Sequence, residues 1–386
     1  MKIVELTILM PCLNEEETIG ICIDKALKFI KKNNINGEVL IADNGSTDNS
    51  VKIAKSLGAR VIKVKEKGYG SALIEGTKNA YGKYVIMGDS DDSYDFLHLE
   101  EFIKKLRKGY DLVMGDRFKG GIEKGAMPFS HRYIGNPILS FIGRIFFHSQ
   151  IRDFHCGLRG YNKEKILSLN LNCSGMEYAS EMVVKSELNN LKITQVPTTL
   201  KKDGRTRKPH LKTFSDGWRH LNFLLIHAPN WLFLLPGSIL LIIGFIGVVL
   251  LRNGYFSINS NFSLGINSML YFSGFIIIGF QLCFFSILAK IHSYNDNILV
   301  KLDKITLNLM KIKTIYYLLF GFILTLIGLL LSVYSFVKWK NVNFGDLNPS
   351  NFMPLVIIAN CLLIMGIEII FSGFLINTMN IKKVHR

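Results

Sequence analysis

The sequence predicts an α/β domain with a mainly parallel sheet, followed by an all-α membrane domain of four transmembrane helices. Three observations carry this reading. Up to about residue 230, short apolar runs alternate with charged, amphipathic stretches, the alternation of strands and crossover helices in a parallel sheet. Beyond that point come four apolar runs, each longer than the ~20 residues a helix needs to cross ~30 Å of hydrocarbon. In the first part, polar clusters follow directly on the apolar runs, at the strand ends where ligands of such sheets gather. A chain of 386 residues is too long for one ordinary core and suits two units, here 1–230 and 231–386.

The elements follow in order. "VELTILMPCLNEEETIGICIDKALKFIKKN" reads as strand, loop and helix: the apolar run stops at Pro11, and "NEEET" sets acids in the first helical turn, where they suit the helix dipole. "GEVLIADNGSTDNSVKIAKSLGA" repeats the pattern, with a strand to Ala42, the loop Asp43 to Asp48 and a helix. "ARVIKVKEKGYGSALIEGTKNAYG" gives a short strand, a glycine-bearing loop and another helix. "KYVI" is the next strand, and it runs into Asp89, Asp91, Asp92 and Asp95. Near 133–148, "SHRYIGNPILSFIGRIFF" places Ile134, Ile138, Phe141, Ile142, Ile145 and Phe146 on one helical face with a basic other side, which fits a helix lying in a membrane interface. "KTFSDGWRHLNFLLIHAPNW" looks like a second such helix near 212–230. The spans fall near 231–251, 266–289, 315–337 and 353–375, with Glu368 the one acid inside them.

Lysine and arginine counts in the short loops set orientation. The loop after the second span carries Lys290, Lys301, Lys304, Lys311 and Lys313, and the tail carries Lys382, Lys383 and Arg386. The loop after the first span has Arg252 alone. This pattern places the first domain, the middle loop and the tail in the cytoplasm, in a cell (inner) membrane. The opening "MKIVELTILMPCLNEEE" reads as no signal peptide, its apolar run being short and followed by three glutamates. Six cysteines lie scattered without a C-x-x-C, which argues against a disulfide framework or a zinc site. The net charge of +16 invites nucleic acid as a partner; with four spans attached, anionic lipid and phosphate ligands are the better reading.

The polar clusters define the chemistry. Asp89 and Asp91, one residue apart after a strand, can share Mg²⁺ or Mn²⁺, hard cations that also bind phosphate oxygens. Asp43 is the first polar residue after "VLIA", where a carboxylate can accept a hydrogen bond from a nucleotide base. Glu15 can meet base or ribose, and Pro11 shapes the turn before it. Asp48 and its neighbours also read as a helix cap. "KEKGYGSALIEG" lacks the full G-x-G-x-x-G of a dinucleotide fold, so Gly68 and Gly70 are read as points of close backbone approach. Arg117, Arg132, Arg205 and Arg207 offer planar forks that match phosphate oxygens. His155 and Cys156 lack a metal-ligand spacing. Glu177 and Glu181 sit one helical turn apart, as structural groups or as a general base.

These residues resemble glycosyltransferase family 2, and within it the polyprenyl-phosphate glycosyltransferases related to dolichyl-phosphate mannose synthase. "MPCLNEEETI", "IADNGSTDNS", "GDSDD", "GDRF" and "DFHCGLRGY" are similar to recurring blocks of that family. The resemblance implies a GT-A fold, a nucleoside-diphosphate sugar donor, a polyprenyl phosphate acceptor and inversion at the anomeric carbon. Carried over by position, Pro11, Leu13, Glu15 and Asp43 line the nucleotide, Ser90 belongs to the nucleotide-sugar site, and Asp89 and Asp91 serve the metal and diphosphate. Arg117 and Arg132 face the acceptor phosphate, and Arg205 and Arg207 are assigned to it as well. The chain departs from the family at Asn44, which replaces an acid, at Ser93, where mannose synthases often carry glutamine, and in "GRTRKPHLK".

The chemistry expected is transfer of a sugar to an anionic phosphate at the cytoplasmic membrane face, with the leaving diphosphate neutralised by a cation and no general base required. Two other reactions remain open. Transfer to a hydroxyl lipid would need Glu177 or Glu181 as base. A processive polysaccharide synthase would carry Q-x-x-R-W, where this chain reads "DGWRH".

Overall fold

The computed structural model describes residues 4–206, 213–259, 262–296, 299 and 301–381. Arg207 and the basic tail residues Lys382, Lys383 and Arg386 lie outside them. The chain divides into two compact units, Met1–Leu224 and Leu225–Arg386.

The first unit is built on a seven-stranded sheet of β1 (Leu6–Cys12), β2 (Gly37–Asp43), β3 (Arg60–Lys63), β4 (Tyr84–Met87), β5 (Leu112–Asp116), β6 (Arg159–Asn162) and β7 (Ile193–Pro197), in the order β3-β2-β1-β4-β6-β5-β7. β6 runs antiparallel to β4 and β5, and the other pairs are parallel. The central strands are apolar on both faces because helices cover both: β4 is buried throughout, and β1 at every position except Pro11. The helix Ile19–Lys32 shows the matching stripe, with Ile19, Cys22, Ile23, Ala26, Phe29 and Ile30 buried at helical spacing. On the other face the helix Tyr69–Asn79 packs so closely on β1 that a Cβ at Gly76 would stand 2.4 Å from the Leu9 side chain.

Register decides what meets at the edge. Cys12 at the end of β1 pairs with Asp43 at the end of β2. Met87 at the end of β4 pairs with Leu9, and Gly88 N–H then donates to the Leu9 carbonyl at 3.1 Å. Three polar loops therefore leave the sheet side by side. Farther along, a π-turn His131–Gly135 leads into the helix Asn136–Phe147. That helix turns Leu139, Ser140, Gly143 and Phe147 inward, and Gly143 lets it approach the Phe154 ring, which a Cβ would meet at 2.7 Å. Its outer side leaves Ile134, Ile138 and Phe141 exposed, with Tyr133 and Phe129 beside them. Ile142, Ile145 and Phe146, expected on the same face, are only partly exposed.

In the second unit four helices are long and apolar enough to span a membrane: Asn230–Leu250, Ile266–Asn295, Thr314–Asn341 and Pro349–Met379. The first pairs with the second and the third with the fourth. Glycines form the seams, because a Cβ at Gly237 would stand 2.9 Å from the Gly279 carbonyl, and one at Gly321 2.6 Å from that of Gly366. Gln281 donates to Glu368 between the second and fourth spans. The amphipathic helix Lys304–Lys311 is anchored by Asp303, which caps Thr306 and pairs with Lys290 at 2.9 Å.

Candidate active site

The four aspartates after β4 divide by their partners. Asp92, in a left-handed conformation, turns to Lys25 at 2.6 Å. Asp95 caps the following turn through Leu97 N–H at 3.0 Å and holds His98. Asp89 and Asp91 face a cavity of about 1190 Å³. Asp89 accepts from the Tyr69 hydroxyl at 3.0 Å. Burial, and then the charge of Asp91, push its carboxyl up to about 7. Asp91 accepts from Ser93, N–H at 3.1 Å and hydroxyl at 2.6 Å, on one oxygen. Its other oxygen accepts from Arg205 at 2.6 Å.

Neighbouring loops hold this pair in place. Ser90 is buried, its hydroxyl donating to the Pro11 carbonyl and its carbonyl accepting from Thr18, both at 2.7 Å. The side chain of Ser90, assigned to the nucleotide sugar from sequence, thus ties β4 to β1. Asn14 adopts φ 59°, a conformation asparagine tolerates, and its amide accepts from Thr47 N–H at 2.7 Å. Ser46 N–H donates to Asp43 at 3.0 Å, and Glu15 N–H to Ser50 at 2.7 Å. Asp48 accepts from Glu16 and Ser50 N–H groups, as a cap does. Asn44 clamps the next loop, donating to the Glu66 carbonyl and accepting from Gly68 N–H. Gly68 and Gly70 press on the segment 173–175, where a Cβ would meet the Ser174 carbonyl at 2.2 Å and the Cys173 carbonyl at 2.0 Å.

The arginines differ from the open forks expected. Arg117 follows β5 and is buried, with Nε 2.6 Å and Nη2 2.8 Å from the carboxylate of Asp153. Burial lowers its pKa, but Asp153 more than offsets this and holds it well above the ordinary value. Arg205, assigned to the acceptor phosphate from sequence, stands instead among the strand-end acids, with Nη1 3.1 Å from Glu15 as well as Nη2 on Asp91. Arg132 lies over the Tyr133 ring, 5.4 Å from its centroid, while His131 and Ile134 on either side of it line the cavity. Pro11, Leu13 and Asp43 stand at the ends of β1 and β2 outside the cavity wall, and Arg205 links Glu15 to it.

Glu181 is fully buried, accepting from Asn172 and Cys173 N–H groups and pairing with Lys185 at 2.7 Å. It organises the 170–173 loop. His155 lies in the cavity wall beside His220, both facing the Ser180 hydroxyl. Burial, then the neighbouring His220 and Arg117, hold His155 well below its ordinary pKa and so neutral. Sequence reasoning passed over Asp153 and Tyr69. A signal for Asp153 existed: a buried arginine needs an acid, and Asp153 opens the same block as His155.

The sheet, the strand-end acids and the aspartate pair define a GT-A glycosyltransferase domain, here joined to a multi-pass membrane unit. Residues 7–168 match the family Glycosyl transferase family 2, and residues 287–380 match the Glycosyltransferase family 2 C-terminal transmembrane region. The chain is 32% identical to the low-salt glycan biosynthesis hexosyltransferase Agl6 of Haloferax volcanii, over 97% of this chain and 89% of that protein. It therefore belongs to glycosyltransferase family 2. It is also similar to two other Haloferax volcanii proteins. One is glycosyltransferase AglJ, 33% identical over 50% of this chain and 61% of AglJ. The other is a dolichyl-phosphate hexose transferase, 27% identical over 55% of this chain and 89% of that protein.

Proposed function

We propose that this glycosyltransferase moves a sugar from a nucleoside-diphosphate sugar to a polyprenyl phosphate at the cytoplasmic membrane face, with inversion at the anomeric carbon. One observation carries the acceptor. The wall of a single cavity holds Asp89, Asp91 and Arg117 together with Ile134, Ile138 and Trp218. Ile134, Ile138 and Trp218 are also exposed. A polar reaction centre opening onto exposed apolar side chains suits a substrate with a charged head and a hydrocarbon tail. The similarity to a dolichyl-phosphate hexose transferase supports the same reading.

Pro11, Leu13, Glu15 and Asp43 serve the nucleotide at the ends of β1 and β2. The aspartate pair suits Mg²⁺ or Mn²⁺, which take one or two carboxylates and complete their shell with phosphate oxygens and water. One feature supports that fit: a positive charge, the Arg205 guanidinium, already rests on Asp91. Asp89 and Asp91 would hold the cation, which supplies neutralisation of the leaving diphosphate.

The acceptor phosphate is anionic near neutral pH. Its oxygen attacks the anomeric carbon, the bond from that carbon to the diphosphate oxygen breaks, and the nucleoside diphosphate leaves with the electron pair. No proton moves. Of the two acids considered as bases, Glu181 is committed to Lys185 and two backbone N–H groups, which removes it from that role. Arg117, oriented by Asp153, and Arg132 at the rim steady the acceptor phosphate. The exposed face from Phe129 to Phe141 lies in the membrane interface. Membranes incubated with labelled nucleotide sugars should glycosylate polyprenyl phosphate and leave free polyprenol untouched. Labelling of the alcohol instead would transfer the assignment to a hydroxyl lipid.

A further inference from the structure

We infer that Arg205 competes with the divalent cation for Asp91, so that cation and nucleoside diphosphate bind as a coupled pair with Arg205 as the positioning residue between them. The inference rests on the donor-site reading above. Its observations concern the strap 201–206. Arg205 reaches Asp91 at 2.6 Å, Glu15 at 3.1 Å and Asp203 at 3.2 Å. Since Ser93 already uses the other oxygen of Asp91, both oxygens of this carboxylate are engaged. The strap does not depend on Arg205 alone. Lys201 N–H donates to the Ser93 carbonyl and Gly204 N–H to the Asp91 carbonyl, both at 2.9 Å. Thr206 donates to Glu17 through its N–H at 2.8 Å and its hydroxyl at 2.6 Å. Backbone contacts thus hold the strap on both sides of Arg205, and the guanidinium can leave while the strap stays.

The consequence is competition. A cation approaching Asp89 and Asp91 must displace Arg205 from Asp91. The displaced guanidinium cannot shed its charge; it keeps Glu15 and Asp203 and can take a further anion in exchange for Asp91. A diphosphate supplies one, with oxygens that match the planar fork. The metal alone is opposed by Arg205, and the metal with diphosphate is favoured by it. Linkage makes the effect reciprocal: whatever the metal does for nucleotide affinity, the nucleotide does for the metal.

The test is Mn²⁺ binding to the full-length protein in detergent, read from the paramagnetic resonance signal of free Mn²⁺ with no nucleotide present. Arg205→Gln should bind Mn²⁺ about 10- to 100-fold tighter than the unaltered protein, the scale on which one neighbouring charge shifts an ionisation. Lys202→Gln removes the same charge from the same strap, and among the described residues Lys202 makes no ion pair with these acids. It should bind as the unaltered protein does. Saturating UDP or GDP should tighten Mn²⁺ binding to the unaltered protein more than to Arg205→Gln. Arg205→Lys, which keeps charge and loses the fork, should fall between and serves if the glutamine variant does not fold. Equal affinity in the unaltered protein and Arg205→Gln, or an equal gain in Lys202→Gln, overturns the coupling and leaves the donor site standing. Mn²⁺ binding that survives Asp91→Asn, or that is absent from every folded variant, overturns the donor-site reading and the coupling with it.

Discussion

The strand-end edge, which reaches the cavity through Asp89 and Asp91, and the helix Asn136–Phe147, which lines it through Ile138 and Leu139, are built on opposite rules. At the edge, polar side chains tie neighbouring loops together: Ser90 to Pro11, Ser46 to Asn14, Ser50 to Glu15. Along the turn and the helix, Ile134, Ile138 and Phe141 are exposed, and Arg132, just before them, rests on a tyrosine ring. The first arrangement fixes positions to a fraction of an ångström, as recognition of a small polar molecule requires. The second fixes little and presents area, as contact with a fluid hydrocarbon requires. A substitution at the edge should therefore act on chemistry, and one on the helix on access.

The largest expected break is at the edge. Asp91→Asn should lower the transfer rate by about 10²-fold or more, the scale of losing a transition-state charge contact, measured with saturating lipid acceptor. Full activity of this variant in excess chelator would remove the metal from the mechanism. Next comes the buried arginine. Asp153→Asn leaves the guanidinium of Arg117 without its acid and should cost about 3–5 kcal/mol of stability in denaturant unfolding, while Arg132→Ala should stay within about 0.5 kcal/mol. Arg132→Ala should instead raise the requirement for lipid phosphate more than that for nucleotide sugar, and an equal rise in both would erase the distinction between edge and helix. A third measurement is pH. Burial and the charge of Asp91 raise Asp89 to about 7, and a cation needs its carboxylate ionised. Mn²⁺ affinity should fall about tenfold per unit below pH 7 and level off above it. The sign for folding is opposite. With its pKa raised from 3.8 to about 7, Asp89 makes the metal-free protein lose stability as pH climbs through that range, and added Mn²⁺ should reverse the trend. The smallest effect should come from Glu177→Gln, with transfer measurable and close to that of the unaltered protein. Its abolition in a folded variant that still binds donor would restore a general base.

Much of the fold was legible because its signals are local. Apolar runs that end in polar clusters marked β1, β2 and β4, and the four membrane helices announced themselves by length and hydropathy. β6 was harder. Its sequence "RGYN" has no apolar pattern, and it pairs antiparallel between β4 and β5, a placement set by partners far away in the chain. The site followed the same division. The D-x-D pair, the strand-end acids and the apolar helix face could be read from neighbours in sequence. The commitments of the arginines could not. Arg117 is answered by Asp153 and Arg205 by Glu15, pairings made only when separate loops meet, and an isolated arginine reads alike whether its fork is open or filled.

The seams of the membrane unit bear on how the chain is made. Spans one and two close on each other through Gly237 and Gly279, and spans three and four through Gly321 and Gly366, so each hairpin can pack as soon as it has been inserted. The contact of Gln281 with Glu368 joins the two hairpins. Synthesis runs from the amide to the acid. When the ribosome delivers Glu368 to the bilayer, where a lone carboxylate is costly, its partner is already in place on a finished hairpin. In the reverse order the carboxylate would have waited in lipid for a partner not yet translated.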